Sequence, residues 1–149
     1  MLETELLETR MLETMPLKLG QRPPEFALTD SAGRRVELHS LLGKNRLLIA
    51  FSPTSSDLEL VKREAVRFLE RDLLLLAIDT AKPATSAAPI IGLRDSDGSV
   101  TKVYGSSGAT LVYLVGKDGT VKAIWSRVPK LSDVYALIDA MPMRRAGQR

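Results

Sequence analysis

Two fully apolar runs, residues 47–51 and 73–78, dominate the hydrophobic pattern of the chain. Runs of five or six residues without alternation are typical of strands covered on both faces of a sheet. Apolar residues between the two runs recur at helical spacing, at Leu58, Val61, Ala65, Phe68 and Leu69. The order strand, helix, strand therefore predicts a parallel crossover at the centre of an α/β domain.

The flanking segments predict two hairpins. Residues 26–28 and 36–38 alternate on either side of a polar turn at 30–33, and residues 110–115 and 121–125 flank the Gly-Lys-Asp-Gly sequence at 116–119. An Asp-Gly pair supplies the left-handed backbone that a tight hairpin needs.

Between these hairpins the pattern predicts a short strand at 90–93 and a small helix through Tyr104. Near the end, an amphipathic helix starts at Leu131 and stops before Pro142. The connection 80–89 is rich in Ala, Pro and Ser, and its prolines disfavour a helix. We therefore expect the crossover in the middle of the domain to be short.

The pattern also sets the expected domain limits. Residues 1–15 repeat a pentad, which drifts around a helix instead of keeping one apolar face. We expect residues 1–16 to be a flexible or helical extension, or a helix that pairs with another chain. A single domain then spans residues 17–142, and residues 143–149 form a basic tail.

Composition excludes several kinds of chemistry. The chain has no cysteine and one histidine, which rules out disulfides, thiolate ligands and a His-rich metal site. The longest apolar runs are far below the roughly 18 residues of a membrane span. The net charge of +3 is mild, so neither nucleic acid nor membrane is an expected partner. The acidic start does not resemble a secretory signal, and we expect a soluble, cytoplasmic protein without a cofactor.

His39 and the acidic turn at residues 95–98 are candidates for a catalytic or metal-binding role, but a structural role is favoured for each. His39 has no second histidine nearby, and its position suits an exposed turn. The acidic turn at residues 95–98 lacks the glycine position and the final glutamate of an EF-hand loop. We interpret this turn as a cap for the small helix that follows.

Three short segments in the order of these elements carry a family resemblance. Residues 20–44, the Tyr104-Gly105 pair and residues 114–121 are similar to segments of the alkyl hydroperoxide reductase and thiol-specific antioxidant branch of the peroxiredoxins. The resemblance covers roughly residues 17–141. It implies an α/β fold of thioredoxin-like, peroxiredoxin type, with a mixed sheet flanked by helices, an N-terminal β-hairpin and a shortened middle crossover.

The chain also resembles a narrower group, the peroxiredoxin-like domains of unknown function related to the DUDES extracellular-matrix proteins. The shared segments are the Phe-x-Pro sequence at 51–53, Arg-Asp-Leu at 71–73, Gly-Lys-Asp-Gly at 116–119 and the sequence at 138–144. Members of this group commonly lack the thiol machinery, and the resemblance implies the same here. An extracellular location of such relatives stands against the cytoplasmic prediction.

The junction at residues 51–59 is where the resemblance places reactive thiols. An ungapped match to thioredoxin-like proteins puts Ser55 and Leu58 at two cysteine positions, and the peroxiredoxin pattern puts Asp57 and Leu60 at its threonine and cysteine. Thr110 stands near the usual position of a cis-proline. A serine hydroxyl has neither the low pKa nor the oxidation chemistry of a thiol, so thiol peroxidase activity is excluded.

Two other roles for the junction remain. Ser56 and Glu59 have the spacing of a capping box. Alternatively, the helix N-terminus with Thr54, Ser55, Ser56 and Thr110 forms an anion or ligand pocket. Serine catalysis is disfavoured, because no general base and no Gly-x-Ser-x-Gly sequence lies near these serines.

The sequence thus predicts a redox-inactive thioredoxin-like or peroxiredoxin-like domain that acts as a binding or scaffold module, with no catalytic residue assigned. Its expected partner is another protein or a second copy of the chain. The alternative is an oxidoreductase of the antioxidant class that works through the cysteine of a partner or through a bound cofactor.

Overall fold

A computed structural model describes residues 17–80, 87–106 and 110–141. The predicted extension at 1–16 and tail at 143–149, with most of the connection 80–89, lie outside the described residues. The strands are β1 (Ala27–Asp30), β2 (Arg35–Glu37), β3 (Arg46–Phe51), β4 (Leu73–Ile78), β5 (Ile90–Arg94), β6 (Leu111–Val115) and β7 (Val121–Trp125). The α-helices are α1 (Ser55–Arg63), α2 (Ala65–Glu70), α3 (Ser99–Val103) and α4 (Leu131–Asp139), and a 3-10 turn covers Leu38–Ser40.

The strands form one mixed sheet in the order β2-β1-β5-β4-β3-β6-β7. Its centre is parallel, since β4 pairs with both β3 and β5 in the same direction. The outer pairs are antiparallel, and they include the N-terminal hairpin of β1 with β2 and the late hairpin of β6 with β7. The predicted mixed sheet, both hairpins and the parallel strand pair of the crossover are therefore confirmed.

Hydrophobic side chains cover both faces of the sheet. Alternate residues of β3 point to opposite sides, so Ile49 belongs to one core and Ala50 to the other. The first core contains the lead-in residue Leu17 and the aromatic ring of Tyr104, whereas the second lies under α1, α2 and α4. All six residues of β3 are buried, as expected for a strand with no face in water.

The predicted helix after the junction is broken into two. At Glu64 the backbone leaves the helical region, with φ −98° and ψ 17°, and α2 begins at the next residue. The Glu64 amide is shared between the carbonyls of Leu60 and Val61, both at 3.1 Å, which is a local tightening of the helix. No glycine or proline marks this position, so the spacing of apolar residues alone predicts a continuous helix. In the second core, Val61 from α1 and Phe68 from α2 are fully buried.

Two buried tyrosines connect the small helix to the rest of the first core. The Tyr104 hydroxyl donates to the Pro24 carbonyl, and the Tyr113 hydroxyl donates to the Tyr104 carbonyl, both at 2.5 Å. Their rings meet edge to face with centroids 5.6 Å apart. These contacts hold the extended lead-in against β6 through Tyr104, the residue that follows α3.

None of the helices in the described residues has the length and apolar composition that crossing a membrane requires.

Candidate functional site

Two parallel strands end in the left-handed backbone conformation at the same edge of the sheet. Ser52 follows β3 with φ 52°, and Asp79 follows β4 with φ 55°. The Ser52 amide donates to the Ile78 carbonyl at 2.8 Å, and the Asp79 amide donates to the Leu93 carbonyl at 3.0 Å. The left-handed residues therefore turn the chain away from the sheet while their amides still bond to the neighbouring strand.

The helix at the junction begins with a capping box, but not the predicted one. Thr54 has extended backbone and its Oγ1 accepts from the Asp57 amide at 3.1 Å, while Asp57 Oδ2 accepts from the Thr54 amide at 2.9 Å. The predicted pair of Ser56 and Glu59 is wrong. Because α1 already includes Ser55, Ser56 is the second helical residue and cannot act as the N-cap.

Thr110 lies beside the junction. Its Oγ1 donates to the Ser52 carbonyl at 3.0 Å, which connects the residue before β6 to the residue after β3. Both residues are partly buried. The structure thus brings Thr110 to the start of the segment that contains Thr54, Ser55 and Ser56. Whether these four residues bind a ligand stays a prediction.

The first two amides of α1 are available for an external acceptor. Ser55 and Ser56 are exposed, and their amides have no acceptor within residues 17–80, 87–106 and 110–141. Such amides attract a hydrogen-bond acceptor, and the helix dipole favours a negative one. The Asp57 carboxylate already places a negative charge in this first turn. An added anion would therefore meet like charge, whereas a neutral carbonyl oxygen would not.

The junction has no general base in hydrogen-bond contact with its serines. Neither serine hydroxyl makes a hydrogen bond to any residue that the structure describes. His39 lies in the 3-10 turn after β2, where its ring nitrogens contact Glu25 at 2.9 Å and Glu37 at 3.1 Å. The predicted position of this histidine in an exposed turn is confirmed.

The acidic turn before α3 accepts hydrogen bonds from the first turn of that helix, although the N-cap residue itself is Gly98, which makes no side-chain cap hydrogen bond. Asp95 Oδ2 accepts from the amide and the hydroxyl of Thr101, each at 2.7 Å, and Asp97 Oδ1 accepts from the amide of Ser99 at 3.0 Å. The Ser99 amide is the main reason that the pKa of Asp97 lies below its ordinary value. Among the described residues, no group of three or more His, Cys, Asp or Glu side chains could hold a metal ion.

Sequence reasoning missed Asp57 as part of the cap, although a signal was present. The sequence Thr54-Ser-Ser-Asp57 has the spacing of a capping box that starts two residues before the predicted one. Two overlapping capping patterns compete in this segment, and the spacing does not rank them. Ser52 was missed for another reason, because a left-handed serine has no sequence signature comparable to that of glycine.

Solved structures with a similar fold include peroxiredoxins and a thiol:disulfide interchange protein. The reduced 2-Cys peroxiredoxin of Plasmodium vivax has a TM-score of 0.69 and 19% identity, over 86% of this chain and 83% of that one. The peroxidoxin BcpB of Mycobacterium tuberculosis has a TM-score of 0.65 and 19% identity, over 84% and 98%. A Chlorobium tepidum protein assigned as the thiol:disulfide interchange protein DsbE has a TM-score of 0.65 and 16% identity, over 82% and 99%. The fold is therefore thioredoxin-like and of peroxiredoxin type.

A comparison with curated proteins finds no significant match. A family profile does match, over residues 37–147, a range that begins at the end of β2 and includes the junction, the central sheet and α4. Since this range covers most of the chain, the chain belongs to the family described as Domain of unknown function (DUF4174).

Proposed function

We propose that this chain is a binding or scaffold module that carries out no thiol chemistry of its own. The observation that supports the proposal is the cap at the junction. Ser55, which stands where the resemblance places a thiol, is the first residue of a helix whose start is held by Thr54 and Asp57. The chain contains no cysteine elsewhere that could take over the reaction. What the junction offers instead is two amides and two hydroxyls for hydrogen bonding.

The predicted ligand site of Thr54, Ser55, Ser56 and Thr110 is part of this proposal. Asp57 restricts the kind of ligand that this site can bind. Its carboxylate lies within the first turn and repels an anion, so a neutral carbonyl oxygen is the better acceptor. Titration with inorganic phosphate, followed by the amide NMR signals of Ser55 and Ser56, tests this point. We expect no saturable shift in the native chain. A saturable shift would support the original anion pocket.

A peroxide-consumption assay with thioredoxin or glutathione as reductant tests the absence of thiol chemistry. We expect a rate equal to that of the mixture without the protein. Turnover that rises in proportion to the concentration of the pure chain would contradict the proposal and favour an oxidoreductase that uses a cofactor or the cysteine of a partner.

The Ser55→Cys variant is the matched control for that assay. It places a thiol at the first helical position, where free amides lower a thiol pKa. Alkylation by iodoacetamide measures whether this thiol is reactive. Thiol reactivity in the variant, with no peroxide turnover in the native chain, would assign the inactivity to the missing sulfur and leave the fold competent.

The partner we propose is another protein or a second copy of the chain. Light scattering after size-exclusion chromatography distinguishes a monomer from a homodimer, and affinity capture from the native organism identifies a different protein. The cytoplasmic location and the link to the DUDES-related domains remain predictions, and cell fractionation tests the first of them. Recovery of the protein in a secreted fraction would contradict the cytoplasmic location and favour an extracellular one, like that of the DUDES-related proteins.

A further inference from the structure

A cavity of about 550 Å³ is lined by residues at the C-terminal ends of β1 and β5 and by the residues that follow β4. Its volume is in the range of pockets that hold small molecules. None of the junction residues Thr54, Ser55, Ser56 and Thr110 is among the described residues that line it. The cavity is therefore a different place from the junction, and the inference drawn from it goes beyond the proposed function.

Arg94 supplies a positive charge to this cavity. Its side chain is exposed at the end of β5, across from Thr29 in the antiparallel pairing with β1. Within residues 17–80, 87–106 and 110–141, no carboxylate forms an ion pair with Arg94. A guanidinium without an internal partner can bind a ligand carboxylate through two parallel hydrogen bonds.

Asp79 supplies a negative charge to the same cavity. Its Oδ1 accepts from the Asp95 amide at 2.9 Å, so the carboxylate is held in place, and no described residue donates to its second oxygen. Asp30 also lines the cavity but is not available in this way. Both of its oxygens accept bonds from the loop at Ala32 and Arg34. One carboxylate is thus structural, and the other can accept from a ligand.

The two available charges, on Arg94 and Asp79, do not form an ion pair with each other. Arg94 and Asp79 line one cavity, yet no ion pair within 4.0 Å joins them in the described chain. Hydroxyl side chains occupy other parts of the lining, at Thr29, Ser31 and Ser96. A cavity with separated opposite charges complements a molecule that carries both signs. A phosphate or another anion is a poor match, because the Asp79 carboxylate repels it.

We infer that this cavity binds a small zwitterion, of the class of free amino acids with a polar side chain. Arg94 would bind the carboxylate of the ligand, Asp79 would accept from its ammonium group, and the hydroxyls would face its side chain. This arrangement satisfies both charges of the ligand with charge-assisted hydrogen bonds, which are stronger than those between neutral groups.

Amide NMR titration of the native chain with a panel of the standard L-amino acids, L-glutamine among them, tests the inference. We expect saturable shifts at Gly92, Leu93 and Arg94 for at least one polar member. The N-acetylated form of the tightest ligand lacks the ammonium group and should bind at least about tenfold more weakly. Absence of saturable shifts for every member of the panel would overturn the inference.

Three variants complete the test. Arg94→Gln removes the positive charge, and Asp79→Asn removes the negative charge while it keeps an acceptor for the Asp95 amide. Each substitution should raise the dissociation constant of the ligand by at least about tenfold. Arg127→Gln removes an exposed arginine that does not line the cavity and should leave binding unchanged. Undiminished binding by Arg94→Gln, or by the N-acetylated ligand, would overturn the inference, and circular dichroism verifies that each variant is folded.

Discussion

The Asp57 carboxylate accepts a hydrogen bond from the Thr54 amide at 2.9 Å, and the Thr54 hydroxyl accepts one from the Asp57 amide at 3.1 Å. This reciprocal pair starts α1 at the position where the resemblance to thioredoxin-like proteins places a thiol. The main role of the junction is therefore to cap α1. The negative charge of Asp57 is also the charge that any ligand at the junction would meet.

Replacing Asp57 by alanine should reduce the free energy of unfolding by about 1 kcal/mol, because the Thr54 amide loses its acceptor and the helix loses a favourable first-turn charge. Urea denaturation measures the change. Glu59→Ala is the matched control, since Glu59 contacts only Lys62 at 3.4 Å among the described residues and both side chains are exposed. A larger loss for Glu59→Ala than for Asp57→Ala would restore the rejected capping box.

Thr110→Val should destabilise the connection between β6 and the end of β3. The substitution keeps the side-chain shape but removes the donor to the Ser52 carbonyl, and the expected loss is about 1 kcal/mol. Thr110→Ser retains the hydroxyl and is the control. Equal denaturation midpoints for the valine variant and the native chain would show that the hydrogen bond does not stabilise the junction.

The stability of the protein should fall above pH 10 because of Tyr113. Burial raises the pKa of Tyr113 from 10.0 to about 12. Above pH 10 the unfolded chain releases this proton while the folded chain keeps it. Stability is therefore intact below pH 10 and decreases as pH rises toward 12.

Tyr113→Phe checks this alkaline effect. The variant should lose about 1 kcal/mol at neutral pH, because the hydrogen bond to the Tyr104 carbonyl is removed, but its stability should decline less between about pH 9 and about pH 11. Denaturation at both pH values gives the comparison. Parallel decline in the variant and the native chain would assign the alkaline effect to other groups, such as the buried Tyr104, whose pKa burial also raises.

Acid should destabilise the protein partly through Asp97. The Ser99 amide holds the pKa of Asp97 below its ordinary value of 3.8. As pH falls below 3.8, the unfolded chain takes up a proton before the folded chain does, so this contribution is present above that pH and is lost through the folded pKa. Asp97→Asn should show a flatter dependence of the denaturation midpoint between about pH 5 and about pH 2. Identical slopes would contradict this role.

Local patterns in the sequence determined most of the sheet. The apolar runs of β3 and β4 identify the centre because a strand buried on both faces tolerates few polar side chains, and the Asp-Gly turn identifies the β6–β7 hairpin through its backbone geometry. The missing thiol was also evident, since a composition without cysteine excludes a reaction that needs a thiol of this chain.

Tertiary structure decided which of the competing local patterns forms. Thr54 and Asp57, not Ser56 and Glu59, cap α1, because the turn that leaves β3 at Ser52 fixes where the helix begins. The pairing of β5 with β4 and β1 likewise brings Arg94 and Asp79 to one cavity, although the two residues belong to different strand ends. The sequence by itself determined the strands and the hairpins, because those depend on neighbouring residues, and its composition determined the absence of a thiol. The start of α1 and the placing of Arg94 and Asp79 in one cavity depend on where separate strands end relative to one another, and only the tertiary structure decided them.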